Sequence, residues 1–184
     1  MTDDRQIVIL LHRRSIPVAD NKRSGSAENG GGVSSSGETS LQPVPMPHWD
    51  WLFDLDPEQP LRTYSTAIVS TSDFHRSMRT PDVHPPPTRP VTLEAWHRAD
   101  HRRRYLTYRG PIRDGSTEVI EVARAILRLD ADAMGATTSL ATAVADWQLT
   151  SACGDVPLDA VARIECQRRV DRGDGRYQLR LFRG

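Results

Sequence analysis

The sequence predicts a mainly β protein, a small closed or nearly closed barrel of about six to eight strands with at most one or two short helices. Three observations carry this expectation. Short apolar or alternating runs recur along the chain, clusters of Gly, Pro, Asn and Asp separate them, and helical periodicity is rare. A barrel is the economical arrangement for such a set because closure leaves no exposed strand edge. At 184 residues the length favours one domain with a substantial core.

The elements follow in order. Ile7-Val8-Ile9-Leu10-Leu11 is a continuous apolar run rich in β-branched residues and predicts a buried strand ending at His12. Residues 19–44 are dominated by Gly, Ser, Asn and Pro, too little apolar area to offset chain entropy, and predict a flexible insertion within the domain. Loop-closure entropy grows only logarithmically with length, so the strands on either side can still pair and bring His12 near His48. His48 to Asp54 is the most informative strand: Trp49, Trp51 and Phe53 alternate with His48, Asp50, Leu52 and Asp54. Asp56 to Pro60 predicts a turn and Leu61 to Val69 a returning strand, with Tyr64 and Ile68 pointing inward. Thr80 to Pro90 holds five prolines and predicts an extended connection. Trp96 to Arg104 fits a short helix or a loop, and Tyr105 to Tyr108 a strand that stops at Arg109-Gly110-Pro111. Glu118 to Leu129 satisfies a helical face through Val119, Val122, Ala123, Ile126 and Leu127, while its opening residues favour a strand. Trp147 to Leu149, Ala160 to Cys166 and Tyr177 to Phe182 predict further strands.

Composition narrows the function classes. Net charge is formally zero, yet of the 24 basic residues only Lys22 is a lysine, and arginine is the better bidentate partner for phosphate. Between Trp96 and Arg113 six arginines face one acid, Asp100, so this segment is locally basic. Cys153 and Cys166 have no CxxC spacing and form no disulfide framework, which predicts structural thiols in a reducing compartment. The run Ile7 to Leu11 is too short for a secretory or membrane-spanning segment, so the expectation is a soluble, cytoplasmic protein without a membrane partner.

The chemistry-bearing residues concentrate in a few places. On a strand, His48 and Asp50 project side by side from one face while the aromatic face is buried, a geometry that suits a divalent metal. An amphipathic strand with an incidental polar face is the bland alternative. The remaining histidines are His12 at a strand end, His75, His84 in the proline-rich stretch, and His97 and His101. His75 and His84 lack partners and read as solvated loop residues, and His97 is an alternative to His101 as a ligand.

Taken in order, a strand ending in His12, His48-Trp49-Asp50 on a strand, Asp100-His101 followed by Tyr105, and Tyr108-x-Gly110-Pro111 resemble the 3'-phosphoesterase domain found at the N-terminus of bacterial DNA ligase D and also as a stand-alone protein. The resemblance covers roughly residues 6–118. It implies a β-barrel with a hydrophobic interior and a polar active site on its outer surface. It also implies a manganese-type centre that removes a 3'-phosphate or a 3'-terminal ribonucleoside from a DNA or RNA/DNA end, in DNA end repair alongside a DNA ligase or end-joining proteins. Carried over by residue, His12, Asp50 and His101 would be metal ligands, and His48 and Tyr105 would assist at metal and scissile phosphate. Neutral imidazoles and a carboxylate suit Mn²⁺, which can polarise a phosphoryl oxygen or activate a water.

The chain departs from the family in three ways. Leu52 stands where family members carry a phosphate-clamping arginine, Tyr64 to Ser70 holds no basic residue where the family has W-A-V-P-K-G-P, and only six residues precede the first strand. Arg62, Arg102 and Arg104 are the candidates for a compensating phosphate contact. The alternative reading is a catalytically silent metal-binding barrel that recognises DNA ends or partner repair proteins, with the arginines from Arg98 to Arg113 meeting phosphates.

Overall fold

The computed structural model describes residues 5–15, 46–68, 90–112, 117–129, 139–150, 156–169 and 176–184. The predicted insertion at 19–44, His75, His84, most of the proline-rich stretch and Cys153 lie outside the described residues. Among the described residues nine strands form, in chain order β1 (Arg5–Arg14), β2 (His48–Asp54), β3 (Arg62–Ala67), β4 (Val91–His97), β5 (Gly110–Ile112), β6 (Thr117–Leu129), β7 (Ser139–Leu149), β8 (Val161–Arg168) and β9 (Arg176–Arg183). The expectation of a small β-barrel is met. Eight strands close an antiparallel barrel in the order β1-β2-β3-β4-β9-β8-β7-β6, with β6 pairing back onto β1. β4 is a strand that sequence reasoning did not assign. Two meanders, β1 to β4 and β6 to β9, therefore meet along two seams, β4–β9 and β1–β6. Among the described residues no helix is long and apolar enough to cross a membrane.

The period-two pattern dictates the interior. Ile7, Ile9 and Leu11 of β1, Trp49, Trp51 and Phe53 of β2, and Leu179 and Leu181 of β9 all enter the main core. Tyr64 joins them, packed edge-on against Phe53 and Tyr177, and the Trp51 indole donates to Thr66 Oγ1 at 3.0 Å. The Asp56 to Pro60 turn is closed by Gln59 N–H to Asp56 O at 3.1 Å and by the Asp56 carboxylate accepting from Glu58 N–H at 2.9 Å.

β6 resolves the helix-or-strand ambiguity. Ile9 pairs with Ala123 but Leu10 pairs with Glu121, so Val122 is an extra residue, a bulge. The bulge shifts the two-residue alternation by one, which turns a strand pattern into an apparent helical one. Val122, Ala123, Ala125 and Leu127 all face the core, while Ile126 stays exposed.

β5 rejoins the sheet by pairing with β6, but residues 98–109 before it do not continue the sheet. They form a strap across the outer face of β3, β2 and β1 that lands on β6. The sequence expectation of a strand at Tyr105 to Tyr108 is corrected: Arg103–Leu106 is a 3-10 turn, and the strand begins at Gly110. A segment that must cross strands has no ladder to join, so its backbone groups turn on themselves and accept side-chain donors. Leu61 and His101 exchange backbone bonds of 2.7 and 3.0 Å, and Arg98 N–H donates to Thr63 O at 3.0 Å. Arg103 grips the buried Asp54 with a two-nitrogen fork of 2.6 and 2.8 Å. Arg124 and Arg109 both donate to Leu106 O, at 2.6 and 3.1 Å, and both pair with Glu121. Burial, then the neighbouring Arg124, pushes the Arg109 guanidinium down to about 10. Beneath the strap a second apolar cluster forms from Val8, Leu10, Leu52, Leu61, Leu106 and Val119, with Tyr105 and Ile112 packed against it. β2 is consequently buried on both faces.

Candidate metal centre

β1 and β2 are registered so that His12 lies directly opposite His48 and Leu10 opposite Asp50, which puts His12, His48 and Asp50 together on the outer face beside the strap. The two imidazoles stack at 5.0 Å between centroids and 8° between planes. His12 Nε2 is 2.9 Å and His48 Nε2 3.6 Å from the two Asp50 oxygens. The ligand atoms of all three residues lie within 4.8 Å of one another, so the group can hold a metal ion.

The carboxylate is prepared for that task. Asp50 is almost fully buried and accepts a hydrogen bond from the Ser65 hydroxyl across the β2–β3 ladder. Burial pushes its carboxyl up, but His12 foremost, then Ser65 and His48, outweigh this and hold it below the usual carboxylate range. His12 Nε2 approaches Asp50 without hydrogen-bond alignment and has no hydrogen-bond partner among the described residues. A divalent cation would satisfy this buried nitrogen and neutralise the carboxylate together, so the donor set fits a metal.

The other sequence-derived residues are placed as follows. His101 sits on the strap with Nδ1 3.0 Å from Ala99 O and its ring against Tyr105 at 4.9 Å; the group among the described residues that could hold a metal contains His48 and not His101. Tyr105 packs on the outer cluster, which holds Leu52 fully buried. His97 faces Asp100 at 3.1 Å rather than the metal group. Arg62 also turns to Asp100, with Nε at 3.5 Å, whereas Arg102 and Arg104 are exposed on the strap. Neither family models nor curated proteins match the chain.

Sequence reasoning missed Ser65. The available signal was the alternation of Thr63 and Ser65 with Tyr64 and Thr66 on a strand returning beside β2. It also missed that Arg103 and Arg109 of the basic segment are committed to Asp54 and Glu121, which leaves fewer of its charges for a ligand.

Proposed function

We propose that this barrel is a metal-dependent phosphoesterase acting on nucleic-acid 3' ends, removing a 3'-phosphate or 3'-ribonucleoside during DNA end repair, with Mn²⁺ as the ion. The observation that carries the reading is the convergence of His12, His48 and Asp50 on the outer face of the barrel. The order of motifs that carries the resemblance to the ligase D phosphoesterase family supports the same reading. When bound, such an ion supplies Lewis-acid polarisation of a phosphoryl oxygen or a more acidic water. Asp50 provides the anionic donor, fixed by Ser65, and His12 the buried nitrogen. His48 and Tyr105 are the groups for proton transfer and phosphate contact, and the exposed Arg102 and Arg104 are the cations for the DNA backbone.

The complete burial of Leu52 in the position of the family's arginine supports the second reading, a silent barrel that recognises DNA ends or end-joining proteins. One assay separates the two. The protein is incubated with Mn²⁺ and a primer-template carrying a 3'-phosphate or a single 3'-ribonucleotide, with Asp50→Ala as control. Release of phosphate or nucleoside by the wild type alone supports the enzyme. Metal binding without turnover supports the silent barrel.

A further inference from the structure

The strap carries a second arrangement that the metal centre does not use. His101, Tyr105 and Tyr108 form a continuous aromatic run, with centroid separations of 4.9 and 5.9 Å and edge-to-face geometry. The Arg104 guanidinium lies 5.5 Å from the centre of the Tyr105 ring. Tyr108 is 38% exposed, and its ring is held in place because its hydroxyl donates to Pro111 O. A partly exposed ring pinned by its polar end loses little entropy when something packs on it.

Charge points to the same ligand. Arg103 and Arg109 are consumed by Asp54 and Glu121, but Arg102 and Arg104 are exposed and pair with no carboxylate among the described residues. The run also leads to the metal group. Two residues after Tyr108, Gly110 pairs with Val119, which in turn pairs with His12. Two strand spacings put the backbones of Gly110 and His12 about 10 Å apart.

We infer that the strap is a stacking platform for unpaired nucleobases, so the chain takes single-stranded or frayed 3' ends. The inference rests on the phosphoesterase reading only for the direction of the strand. Unpaired bases expose the faces that Tyr108 and Tyr105 can meet, whereas bases in a duplex are already stacked on one another. Exposed arginines beside the rings supply the backbone charge, and Arg104 adds a cation next to the stack.

The test is fluorescence anisotropy with a labelled oligothymidylate ending in a 3'-phosphate, against a blunt duplex of the same length, over a range of salt. Asp50→Ala serves as a non-cleaving background. The single strand binds more tightly, and Tyr108→Ala weakens that binding roughly 5- to 150-fold, the range of one base-aromatic stack. Tyr108→Trp retains it and Arg104→Ala flattens the salt dependence, while thermal melts verify that each variant is folded. Equal affinity for duplex and single strand, or indifference to Tyr108→Ala in a folded variant, overturns the platform. Strand binding that depends on Tyr108 without any turnover by the wild type supports the platform and overturns the phosphoesterase instead.

Discussion

The Ser65 hydroxyl on β3 donates to the Asp50 carboxylate on β2, directly across the ladder. The bond fixes which oxygen of Asp50 remains turned toward His12. Removing it in Ser65→Ala is expected to lower Mn²⁺ affinity about 10- to 100-fold, the usual effect of losing a partner behind a metal ligand. Calorimetric titration measures this, and Ser65→Thr should recover most of the loss. An unchanged affinity in the alanine variant would mean that Asp50 is oriented by His12 and His48 alone.

Leu52 lies on β2, fully buried in the apolar cluster beneath the strap. Leu52→Ala is expected to cost about 2 to 5 kcal/mol in denaturant unfolding, through lost transfer energy and a cavity between β2 and the strap. Leu52→Arg, which introduces the arginine carried there by the family the sequence resembles, should destabilise as well and bring no gain in turnover, because the buried carboxylates on either side of it, Asp50 and Asp54, already meet His12 and Ser65 and Arg103. A faster, equally stable Leu52→Arg protein would show that the strap lifts from β2 in solution.

Gly110 begins β5 with φ of +122°, a backbone that side chains rarely adopt, and a Cβ there would touch nothing within 4 Å. The penalty for Gly110→Ala is thus backbone strain alone, about 1 to 3 kcal/mol. Thermal unfolding reads the loss, and the variant should also weaken strand binding by shifting Tyr108. A melting curve identical to wild type would contradict the assigned conformation.

Cys166 gives the barrel an alkaline limit. Burial pushes its thiol from 9.0 up to about 12, against the lowering influence of Tyr64 and Arg62. A raised value favours the protonated form in the folded state, so the contribution is complete below about pH 9 and is lost as pH rises through about 12. Tyr64, also pushed up by burial, acts in the same direction at higher pH. Urea midpoints measured at about pH 8 and about pH 11 should fall, and Cys166→Ala should reduce the fall. A midpoint independent of pH in the wild type would place the thiol in contact with water.

Much of this architecture was legible before any coordinates. The strict alternation from His48 to Asp54 assigned every side chain of β2 to its correct face, because one face carried three large aromatics. The nearness of His12 to His48 was admissible because a long connection adds little closure entropy, and the β1–β2 register then sets the two directly opposite. What was hidden had non-local causes. The extra Val122 mimicked a helix because a bulge displaces the alternation without changing composition. The strap resembled a strand at Tyr105 to Tyr108, since nothing in those four residues records that they cross β1 and β2 instead of pairing with them. Leu52 read as a missing charge because its partners, Leu61, Leu106 and Val119, come from three different stretches of chain. Ser65 gained its meaning only from register.

Closure through the β1–β6 seam has a consequence for biogenesis. β1 is made well before β6, so one of its edges is covered only when its partners Thr117 to Leu127 arrive, more than a hundred residues later. Until then Ile7 to Leu11 is an apolar strand with unpaired backbone groups, the kind of segment that other nascent chains capture. Closure of the barrel therefore requires that this edge be kept from other chains until β6 has been made.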